Sequence, residues 1–193
     1  FAITFFAGVI NVMAGGGSLF VLPFLIDGLG VHHLVANCTN RIAILAQCST
    51  ASYEFRRRGV EWPKPTIQWM ILSMGGAIIG AVLTLYIDKS SFMRLLGIVM
   101  ILAAGVTVFP MDKTMSMVKN KQYMLPICMF CIGIYGGLIQ AGTGLLMLTI
   151  YQSLYSRDLV QANAVKVLLV SAYTCIVLVI FILSLIHISE PTR

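Results

Sequence analysis

Arg41 and Lys166 are the charged residues that lie deepest within the long apolar runs of this sequence, and each is accompanied by an amide. Asn37 precedes Arg41 by four residues and Asn163 precedes Lys166 by three, so each pair shares a helix face. Asn40 and Gln47 extend the polar surface around Arg41. A guanidinium offers an oxyanion a planar fork of donors, and an ammonium offers a mobile point charge. Two glycine clusters, Gly15, Gly16 and Gly17 and then Gly142, Thr143 and Gly144, would add backbone N–H donors wherever they break a helix. Together these residues describe a pocket for a small anion. Plainer roles remain open to them. Glycines permit close helix packing, an intramembrane Asn can bond a neighbouring helix, and a deep cation can snorkel, meet a carboxylate from another helix or bind backbone carbonyls.

The elements that would position these side chains follow from composition. Of 193 residues, 59% are hydrophobic and 10% charged, with a mean hydropathy of +0.92. Soluble domains carry about a quarter charged residues, so a soluble globular protein is excluded, and with it a disordered chain, a disulfide-rich secreted scaffold and a nucleic-acid binder. Six segments are apolar and long enough to cross a bilayer, at roughly 1–26, 34–53, 66–87, 92–109, 123–152 and 159–182. The net charge of +6 is concentrated in the connectors. Arg56, Arg57, Arg58, Lys64, Lys113, Lys119 and Lys121 fall on one side, and Lys89 and Arg157 on the other. Basic loops stay inside, so the 56–64 and 113–121 loops are expected to be cytoplasmic and the 88–91 connector external. The localisation expected is a multi-pass membrane protein, its first partner being the lipid bilayer.

The chain also resembles itself. Ala14-Gly15-Gly16-Gly17 is echoed by Ala141-Gly142-Thr143-Gly144, and the asparagine and cation of segment two are echoed in segment six. Gly17 to Asn37 is 20 positions and Gly144 to Asn163 is 19. Four spans per repeat is an even number, so the repeats should be parallel, related by an axis along the membrane normal. The fold class expected is an all-α polytopic membrane protein of two such repeats, the second truncated. Residues 1–109 form the first repeat, 110–122 a cytoplasmic connector and 123–182 the incomplete second repeat. Residues 183–193 read as a non-native tail resembling a translated sequencing adapter, and the absence of an initiator Met reads as truncation at the other end. Segment five, taken as one straight helix, would be about 45 Å long against a hydrocarbon core of about 30 Å. An interruption at the 142–144 glycines resolves the excess, and Gly15, Gly16 and Gly17 offer the same break in segment one.

Other motifs carry less. Cys128-x-x-Cys131 has redox spacing but sits in an apolar span, where cysteine serves as a small hydrophobe. A membrane thiol-redox protein using Cys128 and Cys131 is one alternative, and a non-catalytic membrane assembly subunit is another. His32 and His33 in the outer connector are expected to be solvated. No metal site, cofactor motif or phosphate loop is visible in the sequence.

The glycine break followed by Leu22-Pro23, then Val35-Ala36-Asn37-Cys38-Thr39-Asn40-Arg41-Ile42-Ala43, then Phe55-Arg56-Arg57-Arg58-Gly59-Val60, resembles the sulfite exporter TauE/SafE family of membrane transporters. Ala162-Asn163-Ala164-Val165-Lys166-Val167 is similar to that family's second repeat. The resemblance spans residues 1–182. It implies a permease of the bacterial inner membrane rather than an enzyme, with two repeats and usually eight helices, moving sulfur oxyanions such as sulfite or small organosulfonates, often outward. With it the candidate substrate-binding set is Gly15, Gly16, Gly17, Asn37, Asn40, Arg41, Gly142, Thr143, Gly144, Asn163 and Lys166, the ligand is a small anion, and assembly as a homo-oligomer is compatible.

Overall fold

The helix that carries Arg41, α2, spans His33–Arg57 and ends where the sequence dictates. Gly59 adopts a left-handed conformation (φ +79°), its N–H reaches the Arg56 carbonyl and the Val60 N–H reaches the Phe55 carbonyl. This paired closure needs a residue without Cβ strain at Gly59. In this computed structural model the described residues are Gly8, 17–108 and 121–189, with side chains described within 17–101 and 124–184. Gly15 and Gly16, and the 110–120 part of the cytoplasmic connector, lie outside them.

Before α2 comes a short helix, α1 (Ser18–Pro23), that passes into a π turn over Phe24–Gly28. Pro23 has no N–H to give to a helical ladder. After α2 follow α3 (Thr66–Tyr86), α4 (Lys89–Val108), α5 (Lys121–Leu138), α6 (Thr143–Leu154) and α7 (Leu159–Ser189). No strand occurs among the described residues. The connectors before α4 and α7 start their helices in the same way. Asp88 Oδ2 accepts the Ser91 N–H at 3.1 Å, and Asp158 Oδ1 accepts the Val160 N–H at 2.9 Å. Both are N-caps that satisfy orphan donors of α4 and α7. The Ser91 hydrogen bonds hold the exposed Asp88 carboxyl below the usual carboxylate range.

The packing is inverted relative to a water-soluble protein. The buried face of α3 is Thr66, Trp69, Ser73, Gly76, Ala77, Gly80, Ala81 and Thr84, mostly small or polar. Its exposed face carries Ile67, Ile71, Ile78, Ile79, Val82 and Leu83. In water large apolar side chains would be driven inside. In lipid they face the tails, and small residues at helix interfaces let backbones approach. α3 and α5 show this directly. Gly76 and Gly80 lie against the backbone of Phe130, Ile134 and Leu138, while Gly133 and Gly137 lie against Ser73 and Ala77. Among the described residues two helices, Thr66–Tyr86 and Leu159–Ser184, are long and apolar enough to cross a membrane, and α3 at 1.5 Å per residue is about 32 Å long. Around the α3–α5 pair, α7 packs on both α2 and α3, and α6 packs on α5 and α7.

Segment five is interrupted, as its length predicts. α5 stops at Leu138, residues 139–142 form a turn, and α6 begins at Thr143, so the break lies just before the expected 142–144 position and Thr143 and Gly144 open the next helix. Gly142 takes φ +74° there, a conformation that glycine adopts freely. One expectation fails nearby. His33 is buried rather than solvated, with Nε2 3.2 Å from the Ile87 carbonyl and its ring 5.5 Å from that of Phe92. The α2 N-terminus packs against the start of α4, and a residue placed in a connector by hydropathy is thereby enclosed.

Candidate functional site

The turn at 139–142 leaves the last carbonyls of α5 and the first N–H groups of α6 without helical partners. In a membrane such backbone is tolerated only where protein or a water-lined cavity satisfies it. Side chains from four helices do so here. Arg41 Nη2 donates to the Gly137 carbonyl at 2.6 Å, and Asn37 Nδ2 donates to the Leu138 carbonyl at 3.1 Å. Thr84 Oγ1 lies 2.9 Å from the same Leu138 oxygen. The Tyr135 hydroxyl bridges the turn to the Ala141 carbonyl. Tyr173 OH lies 3.2 Å from Thr143 Oγ1, which donates to the Gln140 carbonyl at 2.8 Å. A cation against the C-terminal end of α5 also complements that helix's dipole.

Arg41 is wholly buried. Its Nε donates to Asn37 Oδ1 at 3.1 Å, so the four-residue spacing does place amide and guanidinium together. The Phe181 ring covers its face, 5.0 Å from Cζ. Nη1 is buried without a hydrogen-bond partner. Among the described residues no carboxylate lies within ion-pair distance of it; the ion pairs formed there join Glu54 to Arg57 and Arg58. Part of the plainer reading therefore holds. Arg41 binds backbone carbonyl, yet keeps donors that nothing in the described protein occupies.

Two cavities adjoin this centre. One is a void of about 10 Å³, room for about one water molecule, lined by Lys166, Gln140, Thr143, Gly144, Ile44, Cys48 and Val170. The other holds about 170 Å³ between α1 and α2, with Gly17, Ser18, Asn40 and Gln47 among its walls. Asn40 is 5% exposed and its Nδ2 has no partner. The two glycine regions approach one another, since a Cβ on Gly142 would lie 3.5 Å from Leu19.

Of the residues singled out from sequence, the structure thus groups Asn37 with Arg41, Gly17 with Asn40, and Thr143 and Gly144 with Lys166. Gly142 shapes the turn itself. Asn163 is half-buried with Oδ1 unpartnered and lines neither cavity. Gly15 and Gly16 are outside the described residues. Cys128 and Cys131 are free thiols, Cys131 exposed, and neither lines a cavity.

Several residues at the centre escaped the sequence reading. Gln140 adopts φ +66°, is 2% exposed, donates from Nε2 to Thr174 Oγ1 at 2.7 Å and leaves Oε1 unpartnered. A buried non-glycine residue in that region of backbone space marks a position held by its surroundings. Tyr135, Tyr173 and Thr84 carried no motif. The Gly76-x-x-x-Gly80 and Gly133-x-x-x-Gly137 spacings did, as a helix-pairing signature.

The family model described as sulfite exporter TauE/SafE matches residues 1–191. The probable membrane transporter protein ORF9 of Sinorhizobium sp is 25% identical over 169 residues, covering 85% of this chain and 64% of that protein. The probable membrane transporter protein YfcA of Escherichia coli strain K12 is 26% identical over 168 residues, covering 85% of this chain and 62% of that protein. The chain thus spans less than two thirds of the length of these relatives, whose names are those of transporters and not of enzymes. No solved structure shows a significant match. A match over nearly all of the chain, to a family of membrane proteins and in agreement with the inverted packing of α3, places it: the protein belongs to the sulfite exporter TauE/SafE family.

Proposed function

We propose that the protein is a multi-pass secondary transporter of the bacterial inner membrane that carries small anions such as sulfite or organosulfonates, outward, through a site between its two repeats. One observation carries the reading: Arg41 is fully buried among membrane helices, with one guanidinium nitrogen unpartnered and no carboxylate of the described residues beside it. Charge at such depth is costly unless a counter-ion or water meets it. A transported anion supplies that counter-ion, and its travel explains why the described residues provide none. Lys166, Asn40, Gln140 and the N-terminus of α6 offer further polar groups within the same broken-helix region. The void beside Lys166 is smaller than any sulfur oxyanion, which fits a closed conformation that opens when an anion binds.

The test is flux. Proteoliposomes containing the complete protein should show saturable movement of sulfite or of ethanesulfonate, with each competing against the other. A variant carrying Cys128→Ser and Cys131→Ser should transport as the parent does. Loss of function in that variant would favour thiol chemistry, and the absence of flux for every sulfur oxyanion and organosulfonate tried would retire the reading.

A further inference from the structure

Ile44 lines both cavities. It stands on the buried face of α2 that also carries Asn37, Asn40, Arg41 and Cys48, three residues after Arg41 and four before Cys48, and it is 3% exposed. On one side lies the larger space with the unpartnered Asn40 Nδ2, and on the other the void with Lys166, Gln140 and the start of α6. Along this stripe Ile44 is the one large aliphatic side chain, placed one turn from Asn40 and one turn from Cys48. A β-branched residue in a helix has a single strongly preferred χ1, so it forms a fixed wall rather than a yielding one.

We propose that Ile44 is the gate between the two cavities and sets the size of the anion that passes from the Asn40 side to the Lys166 side. The proposal rests on the transport reading above. An anion held near Asn40 is drawn toward the Lys166 ammonium through a medium of low dielectric, where the attraction is stronger than in water. The side chain that lines both spaces is the hydrocarbon of Ile44. Passage therefore requires the α2 face to withdraw from Val170 and Gln140, and the cross-section that this opens is decided by the Ile44 side chain.

The experiment compares the parent, Ile44→Ala and Ile44→Phe as complete proteins in proteoliposomes, with sulfite as the small probe and ethanesulfonate as the larger one. Ile44→Phe should lower sulfite flux at least tenfold. Ile44→Ala should raise the ethanesulfonate-to-sulfite flux ratio at least threefold. If Ile44 were only a packing residue, the cavity left by Ile44→Ala would reduce the folded fraction and both fluxes together, with their ratio unchanged. That unchanged ratio, or a folded Ile44→Phe protein whose flux stays within twofold of the parent, overturns the gate. Should Ile44→Phe not fold, the ratio measured on Ile44→Ala decides alone. A parent that moves neither anion brings down the transport reading and the gate with it, whereas a transporting parent with indifferent Ile44 variants brings down the gate only.

Discussion

Replacing Arg41 by Gln is expected to reduce anion transport by roughly 100-fold or more, because removing one member of a buried, hydrogen-bonded charge pair costs on the order of 2–5 kcal/mol. The structure adds a second consequence. Arg41 Nη2 also satisfies the Gly137 carbonyl at the broken end of α5, and leaving that oxygen buried without a donor costs about 1–3 kcal/mol of stability. Arg41→Lys keeps a charge that can serve the carbonyl or the anion but not both in the same fork. It should restore stability more fully than transport and shift the preference among oxyanions. Lys166 lines the void beside the α6 N-terminus, so Lys166→Gln should weaken transport and Lys166→Arg should be better tolerated, an ammonium acting mainly as a point charge. The measurement is anion affinity and flux on purified variants of known folded fraction. Full-affinity transport by a folded protein carrying both Arg41→Gln and Lys166→Gln would remove these cations from the site.

How much of this was legible beforehand depends on whether the signal resided in side-chain type. The break in segment five was legible because it is a conflict of lengths. Residues 123–152 are too many for one span, and Gly142 is available to turn the chain. The left-handed backbone at Gln140 was not, since no propensity marks glutamine for it. The pairing of Arg41 with Asn37 followed from helical periodicity. The other partner of Arg41 did not, because the Gly137 carbonyl is a backbone atom 96 residues away and every residue carries one. Only the packing of α5 against α3, and of α2 against α7, brings that oxygen to the guanidinium. His33 shows the reverse error: hydropathy placed it in a connector, and tertiary contact with Ile87 and Phe92 enclosed it.

The same packing yields the sharpest contrast in stability, between two adjacent glycines. Gly76 faces α5 so closely that an added Cβ would fall 2.9 Å from the Ile134 nitrogen and closer still to the Phe130 carbonyl oxygen. Neither neighbour is a side chain that can swing away, so the helices must separate. Gly75, one residue earlier on the same helix, has nothing within 4 Å of that position. Gly76→Ala should therefore cost about 1–3 kcal/mol, the range for overpacking a close interface. Gly75→Ala should be neutral or stabilise by up to about 1 kcal/mol, since alanine is the better helix former. The effect should also reach the site at Gly80, whose added Cβ would fall 2.9 Å from the Leu138 nitrogen, while the Leu138 carbonyl receives Asn37 and Thr84. Gly80→Ala should then lower both the melting temperature and the anion affinity, even though Gly80 lines neither cavity. Thermal unfolding of the detergent-purified variants, with sulfite affinity measured on the folded fraction, checks both claims. Equal melting temperatures for Gly75→Ala and Gly76→Ala would show that α3 and α5 do not pack through these glycines. A destabilised Gly80→Ala protein with unchanged affinity would show that the broken end of α5 is not held in place by α3.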